Sequence, residues 1–283
     1  MSETLALNPG FVIGTVFSIV FVIAYPIVLA IIAHRQLHVS WRYVGYGAIV
    51  FFLFQLATRV PAVQLIQAAI GPQLKASPAM LWTWLVVLAL TAGLFEEVGR
   101  YVGYRVLMRR EDKTWSKAVM FGIGHGGLES VVLVGGLMVL GLVSLWTAAN
   151  GGLNQLPDDQ RAAAAQQLQT LSAQPGWAAL LGAWERLWTL PVQIAFSVIV
   201  LQVFRRGKLI WLLWAVLGHA FVDLVAVGLQ QILGPGLTSS LVIEAVVAVF
   251  GLLGIWIIWR LREPPLQAAP SMSAQPAAQM AGV

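Results

Sequence analysis

Several ionisable residues lie within segments of the chain that are otherwise apolar, and they fall into groups spaced by one helical turn. In chain order they are Glu96, Glu97 and Arg100, then His125 and Glu129, then His219 and Asp223. A charged side chain at the centre of a bilayer costs about 2.5–3.5 kcal/mol on insertion scales, so several of them indicate a use. Carboxylates and imidazoles bind divalent metals and transfer protons. These residues therefore predict a catalytic site inside a membrane.

The composition is that of a polytopic membrane protein. Hydrophobic residues make up 59% of the 283 positions and charged residues only 10%, whereas soluble domains average about 25% charged residues. The chain has no cysteine, which excludes disulfides and cysteine-ligated metal sites. We expect an all-α bundle of about seven transmembrane helices, because seven apolar segments approach the ~20 residues that a span needs. These segments are 11–33, 43–70, 79–104, 117–146, 177–204, 209–232 and 241–259.

The distribution of basic residues predicts the orientation of the bundle in the lipid bilayer. Twelve of the 17 lysines and arginines fall in alternate connections between the segments, and only two fall in the remaining connections. Under the positive-inside rule, this asymmetry predicts that the N-terminus is outside and the C-terminus is in the cytoplasm. The net charge of +5 is then a topology signal, so nucleic acid is excluded as a partner.

The chain reads as one integral membrane domain, residues 1–262, followed by a short tail. Residues 263–283 are rich in Pro, Ala, Gln and Met. Such a composition does not bury a core, and we expect a disordered cytoplasmic tail. The longest connection, at about 147–176, is expected outside the membrane as a solvated surface helix, with a substrate lid as the alternative.

The reactive residues are expected to meet in one layer of the membrane. At 1.5 Å per residue, Glu96 and His125 lie roughly 12 Å from the cytoplasmic ends of their spans, and His219 lies roughly 15 Å from its own. Residues four apart share a helix face, so the members of each pair point together. The layer is in the cytoplasmic half, and we expect a water-accessible cavity that opens toward that half.

Two imidazoles and a carboxylate with an open position form a common catalytic zinc set. The candidate ligands are His125, Glu129, His219 and Asp223, and they would come from different helices. Zinc would polarise a carbonyl and lower the pKa of its bound water to about 7. The glycines around His125 permit either close helix packing or room for a peptide.

A further pair of opposite charges, Glu185 and Arg186, lies in the fifth predicted span. Two interpretations are open for it. The pair either forms a structural ion network or supports the site, since its depth is similar to that of Glu129.

The motifs resemble those of the CAAX-prenyl endopeptidase, bacteriocin-processing and PrsW-like intramembrane proteases. The matching strings are Glu96-Glu97-x-x-Arg100, Phe121-x-x-x-His125 and His219-x-x-x-Asp223. The similarity to YhfC-type intramembrane metalloproteases is closer and extends from the third to the sixth span. It rests on Phe95-Glu96-Glu97-x-Gly99-Arg100-Tyr101, Gly122-x-Gly124-His125-Gly126-Gly127-x-Glu129, Glu185-Arg186 and His219-Ala220-x-x-Asp223. The glycine-flanked histidine string is the most specific part.

The resemblance implies hydrolysis of peptide bonds in membrane-protein or lipidated-peptide substrates, in a bacterial cytoplasmic membrane. By analogy, Glu96 activates water with the support of Glu97 and Arg100. The two histidines bind metal or orient water, and Asp223 sets the tautomer of His219. Zinc is the expected cofactor, and a metal-free glutamate mechanism is the alternative.

Two other classes of membrane protein stay open. A non-catalytic scaffold would bind transmembrane helices through its glycine-rich faces, and a proton-coupled transporter would relay protons through buried acids and histidines. Transporters usually contain inverted repeats and bind near the midplane. The chain shows no repeat and its reactive layer is off-centre, while both histidines and both glutamates of the motifs are present. These features favour the protease.

Overall fold

A computed structural model of the chain describes residues 8–262, and the predicted tail at 263–283 lies outside the described residues. The described part consists of helices and their connections, without strands. The α-helices are α1 (Pro9–Leu37), α2 (Arg42–Phe51), α3 (Val60–Ala76), α4 (Pro78–Val106), α5 (Trp115–Leu128), α6 (Gly136–Ala149), α7 (Asp158–Ser172), α8 (Leu181–Arg206), α9 (Ile210–Leu233) and α10 (Leu237–Arg260).

Two of the spans are interrupted by a π-helical segment. Phe52–Arg59 joins α2 to α3, and Glu129–Gly135 joins α5 to α6. A π-helix closes i→i+5 hydrogen bonds, so it widens the turn, and such segments are frequent at functional sites. The first segment contains Gln55, which contacts Glu96, and the second begins four residues after His125. Each π segment thus separates two α-helical parts of one transmembrane span.

The predicted seven-span, all-α architecture is confirmed. Seven helical segments are long and apolar enough to cross a membrane, and each corresponds to one of the segments found in the sequence. They are Pro9–Leu37, Arg42–Ala76, Pro78–Val106, Trp115–Ala149, Gly176–Arg206, Ile210–Leu233 and Leu237–Arg260. The connection between the fourth and fifth spans contains α7, in agreement with the helix predicted there from the sequence. The N-out orientation stays a prediction.

Helix α8 is the central helix of the bundle. Every residue from Leu190 to Val203 is buried, and α8 packs against α1, α4, α5, α9 and α10. A helix that is apolar on all sides suits such a position, since every face meets protein. Gln193 and Gln202 carry polar amide side chains in this buried stretch. Gln193 belongs to the site described below.

One end of the bundle, here called the basic end, gathers the arginine- and lysine-rich connections. Arg42 at the start of α2 pairs with Glu111 from the connection between α4 and α5, with 2.9 Å between Nη2 and Oε2. Trp115 Nε1 donates a hydrogen bond to the carbonyl oxygen of Ile258 near the end of α10, at 2.8 Å. These contacts bring the start of α2, the connection between α4 and α5, and the end of α10 together.

Helices α2 and α5 approach each other at backbone distance. A Cβ atom on Gly47 would lie 1.9 Å from the carbonyl oxygen of Phe121, and one on Gly124 would lie 1.9 Å from that of Val44. Small residues allow such approach between membrane helices. On another side of α5, a Cβ on Gly126 would meet the Gln193 side chain at 2.7 Å. Of the two interpretations of these glycines, close helix packing therefore describes Gly124 and Gly126.

The substitution Gly47→Ala tests this close approach. We expect it to destabilise the protein by about 1–3 kcal/mol, because the added methyl group forces the two backbones apart. Gly45→Ala is the matched control on the same helix, since a Cβ there meets no atom within 4 Å. Thermal unfolding of both variants in detergent measures the difference. Equal unfolding temperatures for the two variants would contradict the packing described here.

Candidate active site

Five ionisable side chains from three helices meet beside α8. Helix α4 supplies Glu96, Glu97 and Arg100, α5 supplies His125, and α9 supplies His219. All five are buried, with at most 4% of any residue exposed. The predicted convergence of these residues is therefore observed as a contact network.

The guanidinium of Arg100 is the centre of this network. It donates to Glu97 Oε1 through Nη1 and to Gln193 Oε1 through Nη2. Its Nη2 also lies 3.5 Å from Glu96 Oε2. Arg100 has no exposed surface, and a fully buried charge is tolerated only when partners of opposite charge and hydrogen bonds surround it. Arg100 thus holds both glutamates of α4 and fastens α4 to α8.

The carboxylate of Glu96 is held from three sides. His125 Nε2 lies 3.0 Å from Glu96 Oε2, and Gln55 Nε2 donates to Glu96 Oε1 at 2.5 Å. Arg100 is the third partner. Because these partners belong to α5, the first π segment and α4, the carboxylate has little freedom to rotate.

The imidazole of His219 is oriented by Glu97. Nδ1 of His219 lies 2.6 Å from Glu97 Oε1, and the ring stacks on Phe196 with centroids 4.9 Å apart and planes 9° from parallel. Nε2 faces Glu96 Oε1 and Asp223 Oδ2, each at 3.8 Å. The resemblance predicts that Asp223 sets the tautomer of His219. In the structure Glu97 accepts from Nδ1 instead, and Asp223 stands beyond hydrogen-bond distance of the other nitrogen.

A second network adjoins the first. Arg186 donates to Glu129 Oε1 at 3.0 Å through Nη1 and to Glu185 Oε1 through Nη2. Gln193 Nε2 donates to Glu129 Oε2 at 2.7 Å, while Gln193 Oε1 accepts from Arg100. Glu129, a predicted metal ligand, therefore has both oxygens engaged by protein donors. Glu185 and Arg186 form an ion network that one glutamine links to the reactive layer.

Two uncharged residues, Gln55 and Gln193, belong to the site and were missed by the sequence reasoning. Each is buried in a transmembrane span, where an amide is costly without partners. A signal was present, since Gln55 stands four residues before Arg59, the same spacing as the ionisable pairs. Arg59 Nη1 donates to Gln55 Oε1 at 3.3 Å. Amides in apolar segments therefore indicate a polar site in the same way as charges do.

Two adjoining cavities lead from the reactive layer. The first, of about 420 Å³, is lined by residues that include Gln55, Arg59, Glu96 and His219. The second, of about 460 Å³, is also lined by His219 and continues between α8, α9 and α10. The sequence predicts an opening toward the cytoplasmic half. Both cavities instead extend away from the basic end, along the far halves of α9 and its neighbours.

The donor set at this site suits a metal ion. Within residues 8–262, Glu96, Glu97 and His219 offer ligand atoms that all lie within 4.8 Å of one another, and all three residues are buried. Two further buried atoms, Glu97 Oε2 and His125 Nδ1, have no hydrogen-bond partner. Carboxylate oxygens and imidazole nitrogens are the usual non-sulfur ligands of zinc. The predicted ligands His125, Glu129 and Asp223 stand outside this three-residue group.

Fold and site together define an integral membrane protein with a buried glutamate–histidine centre, and comparison with known proteins gives its family. The chain belongs to the YhfC intramembrane metalloprotease family, whose family model matches residues 21–247. It is 31% identical over 238 residues to the uncharacterized membrane protein YhfC of Bacillus subtilis strain 168, an alignment that covers 82% of this chain and 90% of that relative. No solved structure matches the chain. The resemblance to YhfC-type proteins inferred from the motifs is thereby confirmed.

Removing the central cation tests how far the site depends on it. We expect Arg100→Met to destabilise the protein by about 3–5 kcal/mol, because two buried carboxylates would lose their partner. Arg42→Met is the control, since it breaks an ion pair in which the arginine side chain is largely exposed, and it is expected to change stability little. Denaturant unfolding in detergent measures both variants. An Arg100→Met protein as stable as the Arg42→Met protein would contradict the network.

Proposed function

We propose that the protein is an intramembrane endopeptidase that hydrolyses peptide bonds of membrane-associated or transmembrane substrates. The observation that carries this proposal is Glu96, a buried carboxylate that is fixed by three partners and lines a cavity within the bundle. A general base must be within reach of its water and held in orientation. The proposed location is a bacterial cytoplasmic membrane, in keeping with the bacterial relative.

The side chains around Glu96 have distinct proposed roles. Glu96 accepts a proton from the attacking water, while Gln55 and His125 hold its carboxylate in place. His219 presents Nε2 to the cavity because Glu97 occupies Nδ1. In the metal-free form, a His219 ring with protons on both nitrogens can donate from Nε2 to the carbonyl oxygen of the scissile bond, or pass that proton to the leaving amine. Arg100 balances the charge of the two glutamates.

A zinc ion is the proposed cofactor, with Glu96, Glu97 and His219 as the residues that would hold it. Bound zinc supplies a Lewis acid that polarises the carbonyl and makes its water more acidic. The unpartnered Glu97 Oε2 supports this form. The metal-free alternative, in which Glu96 alone activates water, is supported by Arg100, because this cation already neutralises part of the carboxylate charge.

Metal content separates the two forms. In purified wild-type protein we expect near one zinc per chain by mass spectrometry, since three buried ligands converge. His219→Ala removes a ligand of the converging group and should lose the metal. His125→Ala, whose imidazole contacts Glu96 from the side, should retain a larger share. Wild-type protein without metal would rule out the zinc-dependent mechanism. Equal loss of zinc from the His219→Ala and His125→Ala proteins would contradict the ligand assignment.

Cleavage tests the proposed base. Wild-type and Glu96→Gln proteins are reconstituted in liposomes with a library of synthetic transmembrane peptides, and products are identified by mass spectrometry. We expect Glu96→Gln to lower the cleavage rate by about 10²–10⁴-fold, the usual contribution of a general base. Glu111→Gln, at the basic end and remote from the cavity, is the control. Unchanged cleavage by Glu96→Gln protein would overturn the role of Glu96.

A further inference from the structure

One face of α9 carries polar side chains from the reactive site to the end of the helix away from the basic end. His219, Asp223 and Gln230 follow one another at spacings of four and seven residues, and Ala226 lies between the last two. Such spacings place all four residues on one helix face. Gln230 lies eleven residues beyond His219, which corresponds to about 16 Å along the helix axis. The polar face therefore extends from the site to the end of the span.

Helix α8 carries a second polar face that runs to the same end of the bundle. Gln193, Thr189 and Glu185 lie four residues apart, and Arg186 is next to Glu185. Gln193 adjoins the reactive site through its contact with Arg100. Glu185 lies near the start of α8, whereas the basic residues of this helix are in its last turn. Two helices thus lead from the site in the same direction with polar residues along them.

The two polar faces line one cavity, the one of about 460 Å³ between α8, α9 and α10, here called the polar passage. Helix α10 adds Glu244 to its lining. The lining begins at the buried His219 and ends at Gln230 and Gln231, both of which are exposed. The cavity lined by Glu96 is also lined by His219 and Asp223, so it adjoins the passage. A continuous polar lining therefore connects Glu96 with the membrane face opposite the basic end.

Buried polar atoms along the passage lack partners within the protein. Among the described residues, Arg186 Nε, Thr189 Oγ1 and Glu244 Oε2 have no hydrogen-bond partner, although each of these residues lines the passage. Arg186 is only 5% exposed. A buried polar atom without a partner costs about 1–3 kcal/mol, and such atoms in proteins usually bind ordered water. These atoms, on two different helices, indicate a hydrated interior.

The opposite direction, from the site toward the basic end, is closed by packed side chains. Tyr104 and Phe121 have no exposed surface, and their ring centroids are 4.7 Å apart. Met108 and Leu201 are equally buried nearer the basic end. Protein interiors packed in this way leave few voids as large as a water molecule. The two sides of the site thus differ, with a polar cavity on one side and an apolar core on the other.

We propose that the polar passage is filled with water and supplies the reaction at Glu96 from the membrane face opposite the basic end. This role rests on the proposed function, because hydrolysis consumes one water for each peptide bond. The C–N bond breaks, the hydroxyl of the water bonds to the carbonyl carbon, and the remaining proton goes to the leaving amine. Ionisable and amide side chains within spans usually face a water-filled cavity, as they do along this passage.

The charges of the lining make the passage favourable for positive solutes. Its carboxylates outnumber its guanidinium groups, since Arg186 is accompanied by Glu129, Glu185, Asp223 and Glu244. A cleft with low-dielectric walls and charges of mainly one sign concentrates solutes of the opposite sign. Small cations are therefore expected to enter the passage more readily than small anions of the same size.

Cysteine accessibility tests the passage without any cleavage assay. The chain has no cysteine, so Thr189→Cys and Ala226→Cys each introduce a single thiol into the lining. Phe221→Cys is the matched control on α9, because Phe221 is 59% exposed but does not line the passage. Thiols react as thiolates, which apolar surroundings disfavour. We expect an impermeant methanethiosulfonate to modify both passage positions several-fold faster than Phe221→Cys. Equal rates at all three positions would overturn the proposal.

The side of entry is read in the same experiment. Intact spheroplasts and inverted membrane vesicles present opposite membrane faces to the reagent, and Lys208→Cys in the exposed connection between α8 and α9 reports the basic end. We expect Thr189→Cys and Ala226→Cys to react in the preparation in which Lys208→Cys is protected. Modification of both passage positions only from the face that exposes Lys208→Cys would overturn the assigned direction.

Charge selectivity gives an independent test of the lining. Modification of Ala226→Cys by a trimethylammonium reagent is compared with modification by a sulfonate reagent, each rate being taken relative to a small thiol in solution. We expect the cationic reagent to react several-fold faster, and Glu244→Gln to reduce this preference. Glu111→Gln at the basic end is the control and should leave it unchanged. A preference for the anionic reagent would contradict the charge of the passage.

Reversible blockage distinguishes the passage from the proposed function. Cleavage of the transmembrane peptide library is measured for the Ala226→Cys protein before modification, after it, and after reduction of the mixed disulfide. We expect modification to lower the cleavage rate and reduction to restore it, which loss of folding would not allow. Accessible thiols without any cleavage by wild-type protein would leave the passage and overturn the endopeptidase. Cleavage that persists when both passage positions are inaccessible would leave the endopeptidase and overturn the passage.

Discussion

The arrangement of the site depends on one buried cation. Arg100 has no contact with solvent. The desolvation cost of such a buried charge is offset only when partners of opposite charge and hydrogen bonds surround it. Glu96, Glu97 and Gln193 are those partners. Each glutamate in turn orients one histidine, since Glu96 contacts His125 and Glu97 contacts His219. Arg100 therefore determines the orientation of both imidazoles through the glutamates. This order of dependence explains why the reactive groups are contiguous even though they come from separate helices.

Helix packing supplies the distances that this charge network needs. The near contact of α2 with α5 through Gly47 and Gly124 brings the first π segment alongside His125. From that position Gln55 reaches Glu96, whose carboxylate thus gains partners on two helices besides its own. Helix α8 supplies the opposing wall, and its Gln193 joins Arg100 to Glu129. Backbone proximity and amide bridges therefore act together to hold a polar centre in an apolar bundle.

The sequence predicted the spans and the five ionisable residues that meet in the site, because these follow from hydropathy and helical spacing. It did not predict the partners within the layer. Helical periodicity gives the face of a residue but not its rotamer, so Glu97 rather than Asp223 was found at Nδ1 of His219. It also did not predict the π segments, which turn Glu129 toward Arg186.

The π segments also constrain the length of the chain. A π turn holds one more residue than an α turn would, and it persists here in the middle of two transmembrane spans. Loss of a single residue from Phe52–Arg59 would let the span close as a continuous α-helix and would shift the residues of the π segment, Gln55 among them, relative to the side chains that they contact. Insertions and deletions are thus restricted even where the side chains face lipid and almost any apolar residue would serve. In this region the count of residues matters more than their identity.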